Sequence, residues 1–105
     1  MSRSAQSRLA EVWTRSPNLV GRKIGDEFVL VPLVSHGADL DSILNLSRVA
    51  AFVWERLDGA SSGGEVVDAV LEHFEVERDR AEQDYLELVE TLVELDAVKR
   101  APKRA

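Results

Sequence analysis

Hydrophobic positions along this chain change their spacing at the junction between residues 42–46 and the segment that begins at Arg48. Residues 42–46 are a short apolar run with a β-branched residue, which predicts a strand. The next segment predicts a helix, because apolar residues recur on one face: Val49, Phe52, Val53 and Leu57. Ser47 lies at the junction, where its hydroxyl can accept from the free N–H groups of the helix. Gly59 follows at the predicted helix end, where glycine tolerates positive φ.

Two short runs of β-forming residues precede this junction, at 19–24 and 27–31. Gly25-Asp26 separates them, which predicts a tight hairpin whose glycine takes the positive φ of a type II′ turn. The second run is apolar on both faces, so we expect both faces to be largely covered. Pro32 lacks an N–H group and marks a strand end, a bulge or an edge. Residues 35–42 are predicted to form an exposed loop.

Two further helices are predicted after the first. Ser62 and Glu65 have the spacing of a capping box at the start of the second helix, which closes near Phe74. The third helix is predicted from near Arg78 to about Ala97. Its apolar residues form two stripes, one of Ala81, Tyr85, Leu88, Leu92 and Leu95 and one of Leu86, Val89 and Val93. Two interpretations stay open: the second stripe lines a groove, or the three helices bury both stripes.

The order of these elements predicts a small α+β domain, in which a three-stranded antiparallel sheet is followed by three helices (βββααα). We expect residues 1–16 to be a flexible N-terminal tail, residues 17–98 to form the folded domain, and residues 99–105 to be a basic C-terminal tail. At 105 residues the chain is long enough for one domain with its own core.

Charge is distributed unevenly and narrows the choice of partners. The formal net charge is −6, and residues 51–98 alone carry 14 acidic and 3 basic side chains. Such an acidic half repels phosphates, so nucleic acid is not the expected partner, whereas a basic or apolar peptide is easier to accommodate. No apolar run is long enough for a membrane helix, and no secretory h-region is visible, so the expected compartment is the cytoplasm.

Candidate catalytic and metal-binding constellations are weak. The chain has no cysteine, which excludes disulfides, thiolate zinc sites and cysteine-held iron–sulfur clusters within it. His36 and His73 are far apart in sequence, and the acids around His73 are typical of a solvated helical face. No nucleophile–base pair and no glycine-rich phosphate loop can be identified. The sequence therefore predicts a protein without enzymatic activity, bound metal or cofactor.

The order of motifs resembles the PqqD-like family of peptide-recognition domains in modified-peptide biosynthesis. The resemblance covers roughly residues 17–98 and rests on four features: the Gly25-Asp26 hairpin, the strand ending in Leu44-Asn45-Leu46, the segment 53–59, and an acidic third helix. Two departures stand out. Ser47 holds a junction position where the family usually has Asn, and the connection 32–42 is a few residues longer than usual.

The resemblance implies a winged-helix-like, non-catalytic adaptor that holds the leader of a ribosomally made precursor peptide and delivers it to a modifying enzyme. That enzyme is a radical S-adenosylmethionine protein in the pyrroloquinoline quinone pathway, and a peptidase or ATP-dependent enzyme in related pathways. The leader would add as a strand to residues 42–46, in a cleft walled by the third helix. The expected peptide-binding residues are Ser42, Ile43, Leu44, Asn45, Leu46, Glu82, Leu86, Val89, Glu90 and Val93.

Two further expectations concern association. A sheet edge that is free without its peptide favours a homodimer, formed through residues 9–13 or the third strand. The alternative function is a winged-helix module for DNA binding or oligomerisation. A recognition helix must present basic and amide groups to base edges, whereas the third helix presents mainly acids. The adaptor interpretation is therefore favoured.

Overall fold

The computed structural model describes residues 9–32 and 44–101, which form two small antiparallel sheets and three helices. The strands are β1 Val12–Arg15, β2 Leu19–Ile24, β3 Glu27–Pro32, β4 Leu44–Leu46, β5 Asp58–Ser62 and β6 Val98–Arg100. The helices are α1 Arg48–Glu55, α2 Gly63–His73 and α3 Arg78–Glu94. The predicted α+β class is confirmed. The predicted loop at 35–42 lies outside the described residues.

The first sheet has the order β2-β3-β4 and contains the predicted hairpin. Ile24 is directly opposite Glu27, so the loop is the two residues Gly25 and Asp26. Gly25 has φ 61° and Asp26 is not among the positive-φ residues, which is the φ pattern of the predicted type II′ turn. Pro32 is the last residue of β3, as expected for a residue that cannot donate to a ladder.

The second sheet, in the order β5-β1-β6, corrects the predicted βββααα arrangement. Its central strand, Val12–Arg15, comes from the segment predicted to be the N-terminal tail, and its Trp13 side chain is buried. β6 contains Lys99 and Arg100, which were predicted to belong to the basic C-terminal tail. Pairing between residues so distant in sequence depends on tertiary packing, so short-range sequence patterns do not predict it.

The helix boundaries follow local capping interactions. Ser47 Oγ accepts from the N–H of Ala50 at 3.1 Å, which confirms the predicted cap of α1. The capping box of α2 is complete, since Ser62 N–H donates to Glu65 Oε1 at 2.9 Å and Glu65 N–H donates to Ser62 Oγ at 3.2 Å. Gly59 does have positive φ, at 80°, but it lies within β5 and does not end α1.

The end of α3 differs from its prediction. The helix stops at Glu94, because Asp96 takes a left-handed conformation with φ 61° and turns the chain back. Ala97 is then fully buried, and Val98 enters β6. The predicted extension to about Ala97 is therefore too long.

One hydrophobic core joins the helices to both sheets. Its fully buried members include Leu30 of β3, Val53 of α1, Val67 of α2 and Leu92 of α3. Close packing is visible at Gly21 of β2, where an added Cβ would lie 2.7 Å from the Phe28 ring and 2.9 Å from Trp54 Nε1. Only glycine leaves room for these two rings at that position.

A hydrogen bond ties the outer surfaces of α2 and α3 together. Arg78 donates to Asp68 at 2.6 Å and to Glu82 at 3.4 Å, and the bond to Asp68 raises the pKa of the guanidinium above its ordinary value. Both partners are exposed, so this pair contributes little to stability. No helix within the described residues is long and apolar enough to cross a membrane.

Candidate peptide-binding site

The hairpin turn determines which backbone groups of β3 point to β2 and which point to β4. Residues of an antiparallel pair alternate between those that exchange hydrogen bonds with the partner strand and those whose N–H and C=O groups point away from it. A two-residue turn makes its flanking residues, Ile24 and Glu27, a hydrogen-bonded pair. Alternation along β3 then directs the backbone groups of Phe28 and Leu30 away from β2. These two residues bond to β4.

The same alternation identifies the free backbone groups of β4. Leu46 and Leu44 lie directly opposite Phe28 and Leu30, so their N–H and C=O groups point to β3. Asn45 is the residue between them, and its N–H and C=O therefore point to the outer edge. Within the described residues no strand pairs with that edge. Asn45 thus offers one donor and one acceptor to an added strand.

A groove of about 330 Å³ lies between α1 and α3 and begins beside Ser47, the residue that follows β4. The wall of the groove that α1 and its N-cap residue form contains Ser47, Val49, Ala50 and Val53. Its wall from the third helix contains Ala81, Asp84, Tyr85, Glu87, Leu88 and Thr91. Val70 of α2 completes the lining. The groove is apolar where the helices meet.

Acidic side chains stand at the rim of this groove. Asp84 accepts from Arg80 Nε at 3.3 Å, and Glu87 accepts from the neutral side-chain amide of Gln83 at 3.3 Å. Asp84 keeps 42% of its side-chain surface exposed, and Glu87 is also exposed. Among the described residues, those that line the groove include two acids and no Lys or Arg. The rim of the groove therefore favours the binding of a positively charged side chain.

Comparison with known proteins gives the family. Residues 27–98 match the family model described as coenzyme PQQ synthesis protein D (PqqD). The chain belongs to the PqqD family. Among solved structures, "TbiB1 in Complex with the TbiA(beta) Leader Peptide" is similar to this PqqD-family protein with a TM-score of 0.66 and 23% identity. The match covers 86% of this chain and 99% of that chain, and at this identity it shows a shared fold. No curated protein matches the sequence significantly.

The strand residues predicted for the site lie as follows in this PqqD-family protein. Leu44, Asn45 and Leu46 form β4, whereas Ser42 and Ile43 lie outside the described residues. Leu46 is buried and Leu44 is half-buried, with both side chains packed on the core, while Asn45 is exposed. Leu44 and Leu46 thus hold the strand in place, and the backbone of Asn45 presents the edge.

The helix residues predicted for the site lie on other sides of α3. Val89 is 0% exposed and belongs to the core, which corrects its placement on a groove. Leu86 packs half-buried against the core, and Glu82 pairs with Arg78. Val93 is 39% exposed. Of the predicted set Glu82, Leu86, Val89, Glu90 and Val93, none lines the groove described above.

The assignment of stripes on α3 explains this difference. Helical periodicity places Ala81, Tyr85 and Leu88 in one stripe, separate from the stripe predicted to line a groove, and all three line the groove. Ala81 and Tyr85 are almost fully buried, so they serve the core and the groove floor together. Asp84, which the prediction missed, lies one turn before Leu88. The signal that could have found it is the i, i+4 spacing from Leu88 to an acid on the same helical face.

Candidate metal ligands lie apart from one another in the described part of the chain. Within residues 9–32 and 44–101, no three His, Asp or Glu side chains come together as a metal ion would require. His73 instead stacks at the end of α2, with its ring 4.7 Å from that of Phe52. His36 lies outside the described residues. The described arrangement offers backbone groups at the outer edge of β4 and an apolar groove between two helices, which are the features that strand addition of a peptide requires.

Proposed function

We propose that this PqqD-family protein is a non-catalytic adaptor that holds the leader of a ribosomally made precursor peptide by strand addition to β4 and presents it to a modifying enzyme. The observation that carries the proposal is the outer edge of β4, which pairs with no strand among the described residues and lies beside an apolar groove. Family membership supports it, as does the leader peptide in the complex of the structural relative. We propose a radical S-adenosylmethionine or ATP-dependent enzyme as the partner.

The geometry of β4 defines how such a leader would sit. One leader residue pairs with Asn45 and exchanges both backbone hydrogen bonds with it. The side chains on either side of that residue point to the same face as Leu44 and Leu46, because directly opposite residues share a face. This is the face of the helices, so the flanking leader side chains are directed towards the groove. Backbone pairing supplies affinity for any extended chain, and the groove supplies selection.

The limits of the domain follow from which strands pack on the core. We propose that the peptide-recognition unit spans residues 17–98 together with β1 and β6, since both strands pack on the core.

Two copies of the chain would compete with a leader for β4 if they paired edge to edge. Sedimentation with and without a bound peptide tests this, and a dimer that persists unchanged at saturating peptide would argue against a shared edge.

A selection experiment followed by amide exchange tests the proposed function. Random peptides, long enough to add a strand and span the groove, are displayed and enriched on the immobilised full chain. Hydrogen exchange is then measured with an enriched peptide. We expect the Asn45 amide to gain protection on binding, and the amides of Leu44 and Leu46, already bonded to β3, to change little. Failure to enrich any peptide, or protection confined to other strands, would contradict strand addition at β4.

A further inference from the structure

We infer that the groove selects leaders that carry an apolar side chain and, two residues away on the same face, a Lys or Arg. Asp84 and Glu87 are the residues that bind this positive charge. The inference rests on the proposed function and adds to it the chemistry of the leader. It depends on how the groove is divided between an apolar floor and an acidic rim.

The floor of the groove is built for an apolar side chain. Val53 and Val70 are 2% exposed, and Tyr85 is equally buried, so the deepest part has no charged group. Ala50 and Ala81 add only methyl groups, which leaves space between the two helices. An apolar leader side chain placed there removes surface from water on both partners, and this burial is the main source of affinity.

The rim of the groove is built for a cation. Asp84 and Glu87 are three residues apart, which puts them on neighbouring positions of one helical face with a rise of about 4.5 Å. Residues two apart in an added strand are separated by about 6.6 Å and point to the same side. A single Lys or Arg beside the apolar anchor can therefore reach both carboxylates. Long basic side chains also place their methylene stems on the apolar wall.

The contacts that described residues make with these two carboxylates are weak. Asp84 has Arg80 as a partner, but that pair is at 3.3 Å with 70% of the Arg80 side chain exposed, so water screens it. Glu87 has the neutral amide of Gln83. A leader cation placed at the rim can contact both carboxylates at once, whereas each internal contact engages only one of them. The rim therefore discriminates between leaders by charge after the floor has fixed their position.

The test compares two double variants that change net charge equally. D84N/E87Q removes the rim carboxylates, and the matched control E72Q/E94Q removes two exposed acids of α2 and α3 that do not line the groove. The display selection is repeated on all three full-length proteins. We expect parent and control to enrich peptides with an apolar residue and a Lys or Arg two positions away. D84N/E87Q should keep the apolar preference and lose the basic one.

Titration of one enriched peptide provides the quantitative readout. We expect D84N/E87Q to bind it about threefold to tenfold more weakly than the parent at low salt, with a smaller salt dependence. The control should bind within about twofold of the parent. Enrichment of apolar peptides with no basic preference in the parent would overturn the inference and leave the proposed function standing. Equal effects of both double variants would overturn it too, because the acids would then act only through net charge. No enrichment on any protein would overturn both.

Discussion

The substitution N45P tests directly which backbone groups of β4 point to its outer edge, because the Asn45 N–H is assigned to that edge. Proline removes this donor without removing a hydrogen bond to β3, and edge strands tolerate proline where the N–H faces solvent. Asn45 is exposed, so no buried side-chain contact is lost. We expect the free energy of unfolding to change by about 1 kcal/mol or less.

Binding should respond much more strongly than folding. The leader carbonyl that Asn45 would have bonded stays unpaired at a partly buried interface, which costs about 1–3 kcal/mol. The dissociation constant should therefore rise by about 5-fold to 150-fold. Calorimetry with an enriched peptide measures this, and urea unfolding followed by circular dichroism measures the stability of the same protein.

Two companion variants separate the possible outcomes. N45T keeps the N–H and should bind like the parent. L46P removes a donor that points to β3 and should unfold or strongly destabilise the domain. A folded N45P protein that binds the peptide like the parent would refute strand addition at this edge. The opposite stability order, with L46P folded and N45P unfolded, would show that the phase assigned to β4 is reversed.

Three further predictions concern the packing that shapes the site. V89D should unfold the domain, with a loss of about 4 kcal/mol or more in urea denaturation, because Val89 is fully buried and the carboxylate would have no partner there; a folded, cooperative V89D protein would contradict that burial. G63A should destabilise by about 1–3 kcal/mol although alanine favours helices, since its Cβ would lie 2.7 Å from the Tyr85 ring; thermal melts at least as high as the parent's would refute the clash. S62A should cost about 1 kcal/mol in chemical denaturation through loss of the α2 cap, and S61A, which keeps the cap, is its control.

Local signals in the sequence predicted the elements that depend on neighbouring residues. The Gly25 turn, the Ser47 cap and the Ser62–Glu65 capping box are each decided within four residues, and each is present as predicted. The second sheet escaped prediction for the opposite reason. β5 reads Asp-Gly-Ala-Ser-Ser, which has poor strand propensity, and it forms because β1 lies beside it.

The sequence predicted β4 as a strand but not which face of α3 lines the groove. Periodicity showed that α3 has a wide apolar surface, but it could not show how the helix is rotated against α1 and α2. Val89 and Leu88 are adjacent in sequence and have similar chemistry, yet one is fully buried and the other lines the groove. Only the packing of three helices around Tyr85 decides between them.

The pairing of β1 with β6 brings the two ends of the folded region side by side. Trp13 lies opposite Arg100, and the N–H of Ala101 donates to the carbonyl of Val12 at 2.8 Å. A unit whose entry and exit are adjacent can be inserted into a surface loop of another protein without stretching either connection. The same adjacency permits circular permutation, with a short linker joining the old ends and new ends opened at the exposed Gly25-Asp26 turn, which leaves both sheets intact.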